Sequence, residues 1–389
     1  MAPDAPGGEN DTCQPSEKHH HGSRRVDAVD RIITMLQDKC RAVREEGLEA
    51  LAGSLESCCS VGTFDYRCAT VLERCRACLK APGSSATEAR LAYRAVGLLA
   101  LTVGSSDACA REILRDALPG LAETAAQAPF RTSSATAVAA IDCLAAVTFA
   151  CARLPNQAFM DAICGVINLG STANSDVLIA AVSALALIRA TSRYRAAGFP
   201  LGGLVSLLGT DDIALRIAVG EALAVWAERD MTASSPEDME ALDVKLASVA
   251  AEARGEGVDR KKHAKQKKLF GEIAAIITAR QHCKAPVEKP TPTPTSSSFS
   301  ASCVLRASGW GRTVQLNFLR RYLGNGFYTH TFFNPLIEEE YWSTDSDDDD
   351  DDYMDSDDSA DRDSQSDSHR GGEDDFVMVQ DEEDDFVMV

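Results

Sequence analysis

The chain has 389 residues, 45% of them hydrophobic and 25% charged, with a formal net charge of -20. Residues 344–389 carry 21 acidic side chains against Arg362 and Arg370, a net of -19, so the preceding body is close to neutral. The overall acidity therefore describes one tail and not the surface of the folded part, and a body of this apolar content is expected to bury a core. No secretory signal is expected at the N-terminus, and no apolar run reads as a bilayer span, because the Ala-rich stretches carry Arg or Asp. The 13 cysteines fall mostly inside Ala/Leu-rich helical stretches. There a free thiol behaves as a small hydrophobe, which fits a reducing compartment, the cytoplasm or the nucleus.

Residues 1–25 are polar and Gly/Pro-rich and are expected to be disordered. His19, His20 and His21 are too few to read as a tag or a metal-binding tract. From 26 to 253 the pattern is helix after helix. Arg31–Leu36 opens it. Arg41–Leu55 follows with Val43, Leu48, Leu51 and Leu55 on one stripe. Glu88–Leu101, Thr132–Ala150, Asp176–Ile188 and Asp211–Ala227 repeat the same apolar spacing, which marks a buried helix face. Weaker helices are expected over Ala108–Leu121 and Ala158–Leu169. Turns are expected at Pro82-Gly83, Gly104-Ser105-Ser106, Pro119-Gly120, Gly170-Ser171 and Gly202-Gly203. The most apolar helices centre near Ala50, Val96, Asp142, Leu185 and Ala222, about 40 residues apart, the repeat of armadillo and HEAT arrays. The expected fold class is all-α: an armadillo/HEAT-like α-solenoid with a small helical C-terminal module and disordered termini. Such stacked helix pairs leave a long surface for partners.

Beyond the array, residues 254–284 hold a basic run, Arg260-Lys261-Lys262-His263-Ala264-Lys265-Gln266-Lys267-Lys268, leading into the apolar Leu269–Ile277 as one helix. Residues 285–302 are rich in Pro, Thr and Ser and read as an extended linker. Residues 303–342 form a small module in which Trp310 precedes a helix over Val314–Leu323, ended by Gly324-Asn325-Gly326 as a left-handed cap. Residues 343–389 are Asp- and Ser-rich, self-repelling and expected to be disordered.

The basic helix followed by Trp310 and by Gln315–Phe327, with its Leu-Gly-x-Gly-Phe pattern, resembles the C-terminal domain of the interferon-related developmental regulator family. The helical array resembles that family's N-terminal domain, so the likeness spans about residues 26–342. The Pro/Thr/Ser linker is a departure from the family pattern. The resemblance implies either transcriptional co-regulation through nuclear protein partners or binding to translationally inactive ribosomes. It points to Arg260, Lys261, Lys262, Lys265, Lys267, Lys268, Arg320 and Arg321 as the residues meeting ribosome or RNA. Six cations within nine residues suit phosphate contact by counterion release, and Phe270 and Trp310 are candidates to stack on unpaired bases. A nuclear-localisation signal or a solvated helix face is the plainer reading of the same run.

Cys75-Arg76-Ala77-Cys78 is the one C-x-x-C, without the second pair a structural zinc needs, and reads as helix packing, as does Cys58-Cys59. No nucleotide loop or nucleophile elbow is present, and neither an enzyme nor a cofactor is expected. The tail holds one seven-residue motif twice, Glu373–Val379 and Glu383–Val389. Each copy sets an aromatic and an aliphatic with two spacer residues between them, after an acidic lead-in. This resembles the motif by which autophagy receptors add a strand to Atg8-type ubiquitin-like proteins, with Phe376, Val379, Phe386 and Val389 as the pocket residues. A C-terminal carboxylate ligand for a PDZ-type domain would explain only the second copy. Acid-directed kinases suit Ser346 and its neighbours.

Overall fold

The computed structural model describes residues 28–57, 61–81, 83–152, 157–191, 199–229, 236–252, 260–282, 298–299, 303–304 and 309–337. The expected disordered ends, the tail motifs, Cys58-Cys59 and most of the 285–302 linker lie outside these residues. A short helix α1 over residues 28–35 opens the array. It is followed by α2 (Arg41–Glu56), α3 (Val61–Asp65), α4 (Cys68–Lys80), α5 (Ala86–Val103), α6 (Asp107–Asp116), α7 (Leu118–Arg131), α8 (Ser134–Cys151) and α9 (Gln157–Ile167). Then come α10 (Ser175–Thr191), α11 (Leu201–Leu207), α12 (Ile213–Arg229), α13 (Pro236–Glu252), α14 (Arg260–His282), α15 (Gly309–Leu323) and α16 (Phe327–Phe333). Ser298–Phe299 and Cys303–Val304 form a minimal antiparallel ladder, the one strand pairing among the described residues.

The helices form two rows. In the second row α2, α5, α8, α10, α12 and α14 pack side by side in chain order, each on the next. The first row sets α4 on α5, α7 on α8, α9 on α10, α11 on α12 and α13 on α14. This is the helix-pair stacking of an α-solenoid. Helix α14 thus continues the array, packing on α12 and α13.

Caps explain several boundaries. Ser133 Oγ accepts the Thr136 N–H at the start of α8, and Asp212 Oδ1 accepts the N–H groups of Ala214 and Leu215 at α12. Ser85 Oγ accepts the Glu88 N–H at α5. Here Ser-x-x-Glu has the sequence of a capping box, but the Glu88 carboxylate turns instead to Arg44 of α2, at 2.6 and 3.1 Å. That bidentate pair ties two helices of the second row.

Four expectations need correction. Ala108–Leu121 is two helices, broken at Ala117 between α6 and α7. Pro119 and Gly120 make no turn: Pro119 sits in the first turn of α7, where a missing N–H costs nothing. Gly202 and Gly203 lie within α11. Finally, α8 is long and apolar enough to cross a membrane by length and composition, contrary to the expectation from sequence, but 78% of that stretch is buried inside the fold. It is a core helix. Helices α3 and α4 carry no separate sequence expectation; α4 buries Cys75 and Cys78 together, as packing. Burial first, and for Cys75 the neighbouring thiol second, raises both thiols above their ordinary range.

Candidate functional site

The basic helix α14 is positioned by its apolar half. Leu269, Phe270, Ile273, Ile276 and Ile277 are all buried. Phe270 and Leu269 lie against Gly220 of α12, where a Cβ would be in tight contact with both. The helix is thereby fixed and Lys267 and Lys268 are presented to solvent. The backbone of Arg260, Lys261, Lys262 and Lys265 belongs to the same helix; their side chains lie outside the described residues. Phe270, fully buried, is no stacking platform for a base, which corrects that expectation. Trp310 is half-buried and packs on the core.

The other predicted cations lie elsewhere. After the linker, α15 and α16 lie against helices of the second row in reverse order, α15 on α12 and α10 and α16 on α2. The Gly311 N–H donates to Glu228 Oε2 of α12 at 3.0 Å. Gln315 Nε2 donates to Thr191 Oγ1 of α10 at 3.3 Å. Arg321 donates through both terminal nitrogens to Asp142 of α8, at 2.7 and 2.8 Å. The Tyr322 ring lies under the Arg94 guanidinium of α5, 5.6 Å from its centroid, and Arg94 is held in turn by Glu56 of α2. Gly324, at φ +53°, lets the chain turn from α15 toward α16, and Gly326 then meets the Glu56 backbone where no Cβ would fit. Residues 309–337 are therefore a strap that covers the row from α12 back to α2.

Arg320 and Arg321 belong to this strap. Arg320 lies over the Phe327 ring at 5.5 Å and Arg321 over Phe318 at 5.5 Å. Arg321 is engaged by Asp142 with its side chain half exposed. Asp142 is on α8 and the lysines are on α14, with α10 and α12 between, so at 8–10 Å per helix the two groups are about 25–30 Å apart. They form two separate basic positions and not one patch.

The strap ends in a buried polar clasp. His330 and Asn334 are both fully buried. Asn334 Nδ2 donates to the Leu101 carbonyl at 2.8 Å and to His330 Nδ1 at 2.9 Å, while its Oδ1 accepts the Leu336 N–H. This network assigns the neutral tautomer with the proton on Nε2, which donates to the Leu55 carbonyl at 2.9 Å. Burial first, opposed by the Leu55 carbonyl and the Glu56 charge, holds the His330 pKa below its ordinary 6.5. A proton on Nδ1 would face the Asn334 amide donor. Because the folded value is the lower one, the clasp's contribution is complete above pH 6.5 and is lost as pH falls below it. The melting temperature of the full chain should fall between neutral and mildly acid pH more steeply than that of His330→Gln, which keeps a donor and an acceptor. Parallel curves would refute this role.

Among the described residues no group of three or more His, Cys, Asp or Glu side chains is placed to hold a metal ion. The two rows and their strap define an all-α helical-repeat protein. A family model for the interferon-related developmental regulators matches residues 8–278, most of the chain, and the protein belongs to that family. The match ends within α14, so α15 and α16 lie beyond it. No curated protein matches the chain.

Proposed function

We propose that this protein is a non-enzymatic scaffold that binds ribosomes or RNA through the basic end of α14 and so regulates translation, while its acidic tail docks Atg8-type ubiquitin-like proteins. The observation that carries the first half is the two-faced build of α14. Its apolar stripe is sunk into α12 and α13, and Lys267 and Lys268 stand in solvent on a rigid support. A fixed basic helix suits phosphate contact better than a mobile run, because less ordering entropy is lost on binding. The exact duplication of Glu-Asp-Asp-Phe-Val-Met-Val supports the second half. Two copies raise avidity for clustered, membrane-anchored ubiquitin-like proteins without a new contact.

The alternative is a nuclear transcriptional co-regulator acting through protein–protein interactions, which the helix-lined row that takes the strap favours. A pull-down from cell lysate separates the two. Full-length protein should recover both Atg8-type and ribosomal proteins. A variant with Phe376→Ala, Val379→Ala, Phe386→Ala and Val389→Ala should lose the first and keep the second. Recovery of neither by the unaltered chain would overturn this reading and leave the nuclear one.

A further inference from the structure

The strap has the form of a ligand. Its hydrogen bonds to the array join residues 83 to 275 positions apart in sequence, so nothing local holds it there. In sequence it follows α14 after residues 283–308, Pro290, Pro292 and Pro294 among them. It lays an amphipathic helix in a groove: Val314, Phe318, Leu319, Tyr322 and Leu323 face inward while Asn317 is exposed. The groove contributes a polar reader at intervals, Glu228, Thr191, Asp142 and Arg94, from four different helices.

The fit is imperfect at Tyr322. Tyr322 is buried, its hydroxyl has no hydrogen-bond partner among the described residues, and it points at Gly97 of α5, where any Cβ would collide with it. Thus the groove accepts an aromatic ring at this position and offers its hydroxyl nothing. A phenyl ring would meet the same walls without leaving a donor desolvated and unpaired.

We propose that the groove of α2, α5, α8, α10 and α12 is a receptor for an amphipathic helix of another protein, and that residues 309–337 hold it in cis as a displaceable ligand. The incoming helix carries Arg followed directly by Phe: the Arg takes Asp142, as Arg321 does, and the Phe takes the pocket between Arg94 and Gly97. Recognition is helix-in-groove. The cis segment sets the threshold, since a ligand in the same chain competes at a high effective concentration. This proposal is independent of ribosome binding through α14.

The test uses the full chain with a protease site placed in residues 285–302, so that the protein folds intact before it is cut. The probe is a fluorescent peptide of residues 309–337 carrying Tyr322→Phe, followed by anisotropy. The uncut chain should bind it at least tenfold more weakly than the cut chain, in which the strap can leave. The same peptide without the substitution should bind the cut chain about tenfold more weakly than the Phe form. Asp142→Arg in the chain should abolish binding, and Arg321→Asp in the peptide should restore it. No exchange into the cut chain after prolonged incubation, with its helical signal and melting unchanged, would overturn the proposal by making the strap a permanent part of the core. Equal binding to cut and uncut chains, or failure of the charge swap to restore it, would place the peptide elsewhere and overturn it as well.

Discussion

Glu88→Ala is expected to lower the melting temperature of the full chain by roughly 5–10 °C. Glu88 is fully buried, and Arg44, 11% exposed at its side chain, is its bidentate partner. Removing the carboxylate leaves a guanidinium in a dry interface, and breaking such a pair from one side costs about 3–5 kcal/mol. The lower end applies, because Arg44 also donates to the carbonyls of Asp38 and Lys39 at 3.0 Å each and keeps those bonds. Replacing both residues together with a well-packed apolar pair should cost much less, since the desolvation penalty goes with the charges. Thermal unfolding followed by circular dichroism checks both. A Glu88→Ala protein that melts like the parent would mean the pair is not a tie between α2 and α5.

Gly326→Ala is expected to unseat the end of the strap. The backbone at Gly326 is ordinary, at φ -77°, so the requirement for glycine is spatial and not conformational. A Cβ there would collide with the carbonyl of Glu56, which is backbone within the last turn of α2 and cannot rotate aside. Forced overpacking of this kind costs about 1–3 kcal/mol, or roughly five- to 150-fold in local opening. Amide hydrogen exchange should therefore speed up by that factor across α16 and the clasp. The amides of α8 and α10, in the middle of the row, should keep their protection. Unchanged exchange in α16 would show that the segment does not depend on its contact with α2.

The helices most evident in the sequence are those of the second row. Arg41–Leu55, Glu88–Leu101 and Asp211–Ala227 fall almost on α2, α5 and α12, because apolar periodicity and local caps are written in adjacent residues. The left-handed glycine after Leu323 was legible for the same reason. The docking of the strap was not, because its partners lie 83 or more positions away. A signal existed nonetheless. Helix α8 is buried from Ala140 to Cys151 without a break, and a helix apolar on every side needs cover on every side. Helices α5, α10 and α7 pack on it, and the strap reaches it through Arg321 and Asp142. Asp142, the one charged residue in α8, marks where the cover meets it.

At Phe270 the apolar period overrides the chemistry its neighbours suggest. An aromatic beside lysines suggests a stacking platform, yet Phe270, Ile273 and Ile277 fall at i, i+3 and i+7, the pattern of a buried stripe. Within the basic run, that stripe makes the lysines a supported face. The same run shows why Arg320 and Arg321 could not be placed from sequence: a pair of arginines on a helix looks alike whether it meets phosphate or, as Arg321 does, an aspartate of its own chain.

The most direct test of the central claim is cosedimentation of the full chain with purified ribosomes as salt is raised, beside a variant with Lys261→Glu, Lys262→Glu, Lys265→Glu, Lys267→Glu and Lys268→Glu. If these five lysines neutralise phosphates, affinity should fall about 500-fold between roughly 50 and 200 mM salt, and the variant should not sediment at any of these concentrations. Retention of the variant with the salt dependence of the parent would contradict the account and leave α14 as the last helix of the array and nothing more.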